Sequence, residues 1–164
     1  IMERLVGSEM CIRDRPEGFE PLDIAARWGV DDAPDFVMHS GPIYVREDGS
    51  MPRLGFEVLP HMCNPGGVCH GGLLMTVLDN AFVFILHATL KQPVYLPSIS
   101  CNFDFLAPAH LGEWVETSGS CTKHTKRTGF VSGALLGPDG PVLQGSGIFR
   151  ITERTAADMS ANTA

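Results

Sequence analysis

The sequence predicts an α+β domain: a curved antiparallel sheet wrapped around one long central helix. Three observations carry this. An apolar run without Gly or Pro extends from Leu73 to Leu90, too long for an ordinary strand and therefore a helix. From Ser98 to Leu106 the period of apolar residues changes to two. Turn signals then punctuate short apolar segments to the end of the chain, as they do between successive strands. A helix segregated from a run of strands indicates α+β rather than an alternating α/β order.

The length of 164 residues fits a single domain. Residues 1–15 read as a non-native or disordered leader, because LVGSEMCIRDR at 5–15 resembles translated sequencing-adapter read-through. Residues 16–42 form an N-terminal segment, 43–153 the domain itself, and 154–164 a small, polar, flexible tail.

The elements follow in order. Residues 20–36 hold a short helix or turn. Ile43 and Val45, then Leu54, Phe56 and Val58, alternate with other residues around Asp48-Gly49, the pattern of a hairpin. Apolar side chains occupy nearly every face of the helix, so most of it is buried. It is about 30 Å long and ends at Lys91, Gln92 and Pro93. In SISCNFDFL, Ile99, Cys101, Phe103 and Phe105 share one face, and Ser98, Ser100, Asn102 and Asp104 the other. EWVETSGSCTKH, FVSGALL and PVLQGSGIFRIT are three further strands, making four in meander after the helix. The helix is the apolar body available for the sheet to cover. One sheet covers it incompletely and leaves free edges, which favours dimerisation.

Composition narrows the function. The net charge of −7 and pI near 5.2 disfavour a general nucleic-acid binder. Five cysteines at irregular spacing argue against a disulfide scaffold and for a reducing, cytoplasmic compartment. The N-terminus has no apolar core of a signal peptide. Asp79, Asn80 and His87 inside the apolar run speak against a membrane span.

The stretch NPGGVCHGGLLMTVLDNA, residues 64–81, carries the chemistry. His70-Gly71-Gly72 stands where the helix begins, and there the first backbone N–H groups lack partners and the helix dipole is positive. An oxyanion would be stabilised at that point. Asp79 is an acid within the apolar run, where a carboxylate is costly unless it is paired or kept for chemistry. His61, Cys63, Cys69 and His70 fall within ten residues but match no common zinc pattern. Neither metal nor cofactor is expected.

The spacing Asn-x5-His-Gly-Gly-x6-Asp, with SISCNFDFLAPAHLG and the closing GPVLQGSGIFRIT, resembles the hotdog-fold thioesterases, most closely the phenylacetate-pathway group acting on acyl-CoA. The resemblance spans about residues 43–152. It implies a hotdog fold and hydrolysis of acyl-CoA to a carboxylic acid and free CoA at a dimer-interface site. It makes Asp79 the nucleophile or general base and the Gly71 amide the oxyanion donor. It gives Asn64 a role in positioning water or carbonyl, and Ser98 a role in holding the attacking water. His70 matches in identity.

Gly72 and Thr76 are the expected substrate-lining neighbours. Lys123, Lys126 and Arg127, basic residues in an acidic protein, are candidates to dock the phosphates of CoA. Gly71 and Asp79 lie eight residues apart, about 12 Å along one helix. One carbonyl cannot reach both, so the pair must come from different subunits. The expected partners are acyl-CoA and a second copy, with a tetramer of paired dimers as the larger assembly. The competing readings are an enoyl-thioester hydratase and an acyl-CoA-binding sensor. The first uses an Asp-His pair elsewhere in related families, and the second calls for a DNA-binding segment beside it. The acyl group stays open among aryl-acetyl, medium-chain and hydroxylated chains.

Overall fold

A computed structural model describes residues 15–24, 27, 36–49, 51–154 and 158. In chain order the elements are β1 (Glu20–Pro21), α1 (Phe36–Ser40), β2 (Tyr44–Arg46), β3 (Arg53–Glu57), α2 (Gly71–Leu90), β4 (Ser98–Phe105), β5 (Trp114–His124), β6 (Thr128–Gly137) and β7 (Gly140–Arg150). The strands form one sheet in the order β1-β2-β3-β5-β6-β7-β4. Every pairing in it is antiparallel. α2 packs against β5, β6 and β7. This is the hotdog arrangement that the sequence predicts.

α2 begins two residues before the Gly-free run. His70 caps it, its ring accepting from the Gly72 N–H, a side-chain acceptor for an otherwise orphan donor. Lys91 closes it in the left-handed region at φ 54°, with its N–H donating to the His87 carbonyl. α2 is long and apolar enough to cross a membrane. Its apolar surface packs instead on the sheet, with Leu74, Val77, Leu78, Ala81, Phe82, Phe84, Ile85 and Leu86 buried. The hairpin also forms as expected: Val45 faces Leu54, and Gly49 takes φ +88° in the turn.

Two expectations change. After the helix only β5, β6 and β7 run as a meander; β4 pairs with β7 instead of β5. Residues 106–113 carry the chain from β4, at one edge of the sheet, across to β5 beside β3. The loop is held there by the Cys69 N–H on the Ala109 carbonyl (2.8 Å) and the Val58 N–H on the Glu113 carbonyl (2.9 Å). Apolar alternation specifies a strand but not its neighbour. The helix or turn expected over 20–36 falls largely outside the described residues. Glu20–Pro21 pair with β2, and Phe19, Leu22 and Val37 are buried in the domain core. Phe19 meets Trp114 edge-on at 5.1 Å.

The helix lies close to the sheet because glycines face it. Gly119 on β5 stands directly opposite Gly133 on β6, and Gly133 opposite Gly145 on β7. A Cβ on Gly119 would sit 2.9 Å from Ile85 Cδ1; one on Gly133 would sit 3.2 Å from Phe82 Cε1 and 2.5 Å from the Ser118 carbonyl oxygen. Real side-chain atoms do not come so near a backbone oxygen, so Gly133→Ala must spread the strands or displace the helix. We expect a loss of roughly 1–3 kcal/mol, read in thermal unfolding as a fall of roughly 2–4 °C in Tm per kcal/mol.

Candidate active site

The loop before α2 folds around Asn64. Its backbone N–H donates to the Val68 carbonyl (2.8 Å), and its carbonyl accepts from the Gly67 N–H (2.9 Å). Its side-chain Oδ1 accepts from the Gly66 N–H (2.8 Å). This is an Asx turn, and the oxygen is committed to the loop. Gly67 holds φ +80° there, where a side chain would be strained. The loop ends at His70, whose N–H donates to the Met62 carbonyl (2.8 Å). The exposed His70 ring accepts from the Gly72 N–H through Nδ1 at 2.9 Å, which leaves the proton on Nε2 in the neutral ring.

With the Gly72 amide taken, the first turn of α2 presents a different donor. Among the described residues the Gly71 N–H has no acceptor. Phe105 on β4 lies across this glycine; a Cβ at Gly71 would come within 2.7 Å of its Cε1. A side chain here would have to push the exposed Phe105 ring aside, so glycine leaves the approach to the backbone open.

Asp79 lies on the one stripe of α2 that the sheet leaves uncovered. Gly72 and Met75 are exposed on this stripe, and Thr76, Asp79 and Val83 are half-buried. Thr76 is turned onto its own helix, its hydroxyl donating to the Gly72 carbonyl at 2.9 Å. The Asp79 carboxylate has two donors on one oxygen. The Ser98 hydroxyl reaches Oδ1 at 3.0 Å and the Cys101 thiol reaches the same Oδ1 at 3.3 Å.

Strict alternation puts Ser98 and Cys101 on opposite faces, so a local break is needed to bring them together. The register supplies it: Ser98 pairs with Phe149 and Ser100 with Ile148, so Ile99 is an extra residue in β4. Such a β-bulge re-aims a side chain. Ser98 thereby turns inward toward the helix, and Ile99 is left 61% exposed.

Cys101 was legible only as one more inward-facing apolar residue. It could have been picked out as the single side chain with a donor on the face that alternation directs at the helix. Burial, then the hydrogen bond and charge of Asp79, push its thiol from 9.0 to about 12. It is protonated and able to donate at neutral pH.

The remaining sequence candidates separate. Lys123 is exposed on β5, and Lys126 and Arg127 lie in the β5–β6 turn. Lys126 and Arg127 line a cavity of about 850 Å³ with Gln92, Val94, Arg150, Glu153 and Arg154, a group that does not include Lys123. Arg150 and Arg154 had no signal in the sequence beyond their charge. The cavity lies past the C-terminal end of α2, roughly 30 Å along the helix from Gly71 of the same chain. The four residues weighed as zinc ligands do not converge on one point. His61 Nε2 bonds to the Gly41 carbonyl (3.0 Å), and the Cys63 thiol donates to the Leu59 carbonyl (3.5 Å). Cys69 is buried, and burial followed by the neighbouring Cys63 pushes its thiol to about 12.

The sequence profile of the Thioesterase superfamily matches residues 66–143, a span running from the glycine loop through α2 into β7. A Pseudomonas aeruginosa protein named "Putative esterase PA0474" is 28% identical over 137 residues, covering 83% of this chain and 96% of that protein. The Escherichia coli PaaI protein from the phenylacetic acid degradation operon superposes with a TM-score of 0.65. It is 22% identical, with 74% of this chain and 87% of that chain covered. The Streptococcus mutans protein smu.793, solved bound to acetyl-CoA, superposes at 0.63 with 15% identity over 77% of this chain and 98% of that one. At these identities the two structures establish the fold.

The buried thiols make stability fall in alkali. The folded state holds the Cys69 proton up to about 12 against 9.0 when free, so it binds more protons than the unfolded chain across that interval. The stabilisation is complete below pH 9 and is lost as pH rises toward 12. Thermal unfolding should show Tm declining above pH 9, and less steeply in Cys69→Ala than in the unmodified chain.

Proposed function

We propose that this chain hydrolyses acyl-CoA to a carboxylic acid and CoA, in a site shared between two copies, a reading supported by the match of the Thioesterase superfamily profile to residues 66–143. The observation that carries this reading is Asp79 on the uncovered stripe of α2, steadied by Ser98 and Cys101. An acid that served only the core would face the sheet. This one is turned toward the surface that a second copy would cover.

The surroundings favour a second copy as the cover. Met75 on the stripe is 38% exposed, and Ile99 and Phe105 on the outermost strand β4 are 61% and 56% exposed. Among the described residues β4 pairs only with β7 and leaves its other edge open, and open strand edges recruit further chains. Gly71 and Asp79 of one helix stay about 12 Å apart. Two copies facing each other across this stripe supply the acid from one helix and the helix terminus from the other. The resemblance to the PaaI group implies the same arrangement.

The chemistry follows. The thioester carbonyl accepts a hydrogen bond from the Gly71 N–H, and the positive end of α2 stabilises the negative charge that grows on its oxygen. Asp79 of the other copy either removes a proton from an attacking water or attacks the carbon itself. In the first case the tetrahedral centre collapses to the carboxylic acid, the carbon–sulfur bond breaks, and the proton taken from water passes to the sulfur. In the second the collapse leaves a mixed anhydride on Asp79, which water hydrolyses to the acid, its proton going to the thiolate. Either way CoA leaves as the thiol. His70 contributes by capping: it occupies the Gly72 amide and leaves Gly71 as the free donor. Asn64 contributes by shaping the loop. The phosphates of CoA would lie in the cavity lined by Lys126, Arg127 and Arg150, cations that attract a polyanion to an acidic protein.

Two measurements test this. In a thiol-release assay with acetyl-, hexanoyl- and phenylacetyl-CoA, Asp79→Ala and Gly71→Pro chains should each lose about a hundredfold or more in kcat. Proline is tolerated in the first helical turn, and Phe105 is exposed enough to swing aside. Refolded together in equal amounts, the two chains should recover about a quarter of wild-type activity, since half the dimers are mixed and each mixed dimer has one intact site. No recovery from well-folded chains would rule out the shared site. Second, Lys126→Ala with Arg150→Ala should raise KM for an acyl-CoA roughly three- to tenfold, with kcat unchanged. The effect should shrink in high salt. It should vanish with the matching acyl-pantetheine, which has no phosphates.

A further inference from the structure

Ser98 and Cys101 donate to the same carboxylate oxygen, Oδ1 of Asp79, and among the described residues no donor meets Oδ2. From this geometry, and resting on the proposed role of Asp79, we infer that Oδ1 is the anchored oxygen and Oδ2 the reacting one, with Cys101 a positioning residue for the hydrolysis. A carboxylate has two rotatable oxygens, and a base or nucleophile works only when one of them is aimed at its target. Two donors on Oδ1, from different residues of one strand, fix the plane of the group. Oδ2, which no donor meets among the described residues, is then the oxygen left to react.

The choice of donors supports this role. A hydroxyl and a thiol orient the carboxylate without neutralising it, as a Lys or Arg pair would. The thiol also packs: Cys101 lies against the hydrophobic core, and sulfur combines an apolar surface with one weak donor. Burial keeps that thiol protonated, so it is not poised as a nucleophile of its own. The bulge at Ile99 completes the arrangement. Without the extra residue, alternation would turn Ser98 away and leave Cys101 as the sole donor. The strand irregularity and the thiol are thus parts of one clamp.

The test uses the full-length chain with the best-hydrolysed of acetyl-, hexanoyl- and phenylacetyl-CoA. Cys101→Ala should lower kcat about tenfold, in keeping with loss of one orienting bond. KM and Tm should stay close to wild type. Cys101→Ser, which keeps a donor, should recover most of the lost rate. A purely packing role predicts the opposite ranking: the Ser variant, with its buried hydroxyl, would be no better than the Ala variant. Equal rates in Cys101→Ala and wild type, or equal losses in the Ala and Ser variants, would overturn the inference. An Asp79→Asn chain separates the two levels. If it is inactive while Cys101→Ala is unaffected, the positioning role alone fails. If it is as active as wild type, the role of Asp79 fails with it.

Discussion

A twenty-residue apolar helix must be kept from water, and one sheet can curl around only part of it. The rest of this structure depends on that constraint. The coiling of β5, β6 and β7, the glycines at Gly119 and Gly133, and the crossing loop at 106–113 all serve to bring the sheet over α2. What the sheet cannot reach is a stripe carrying Met75, Thr76, Asp79 and Val83. A fully covered helix would have no place for Asp79, and a bare one would be insoluble. The carboxylate occupies the boundary between these conditions, where a second copy can exclude water without an additional layer of this chain.

The helix also determines what each of its ends can do. At the start, four N–H groups lack helical partners, and the sequence around them disposes of these donors selectively. The His70 ring takes the Gly72 amide, and among the described residues nothing takes that of Gly71. The difference between the two glycines lies in the cap and not in the glycines themselves. Toward the other end, past Lys91, Lys126, Arg127 and Arg150 gather around a cavity in a chain of net charge −7. The helix thus has a polar terminus suited to one developing negative charge and a basic cavity suited to several fixed ones. They are too far apart to serve one small ligand within one chain.

Much of this was legible from residues alone, because it depends on periodicity. The helix from Leu73 to Leu90, its end at Lys91, the hairpin at Gly49 and the strands after Pro97 follow from spacing. The site residues came from a motif, and the structure supplies their arrangement. Periodicity failed where one residue breaks it. Ile99 is an insertion in the β4 register, and it turns Ser98 from the outer face to the inner one. No composition rule marks a bulge of this kind. Strand order failed for another reason: SISCNFDFL has the same pattern whether it pairs with β5 or β7. Only the loop contacts at Cys69 and Ala109 decide between them.

Cys101 shows what the two levels give together. Alternation assigned it to the inward face with Phe103, and the helix assigned Asp79 to the same interior. Neither placement implied a contact. It arises because the uncovered stripe of α2 runs alongside β4, the strand that ends the sheet. A residue there is half core and half sheet edge, and its side chain has to satisfy both. Valine would pack but leave Asp79 with one donor; asparagine or lysine would bond the acid but disturb the apolar side. A thiol meets both demands at modest strength. In that sense the identity at 101 follows from the same geometric limit that left Asp79 half-buried: the sheet ends there, and the last strand must close the core and hold the acid.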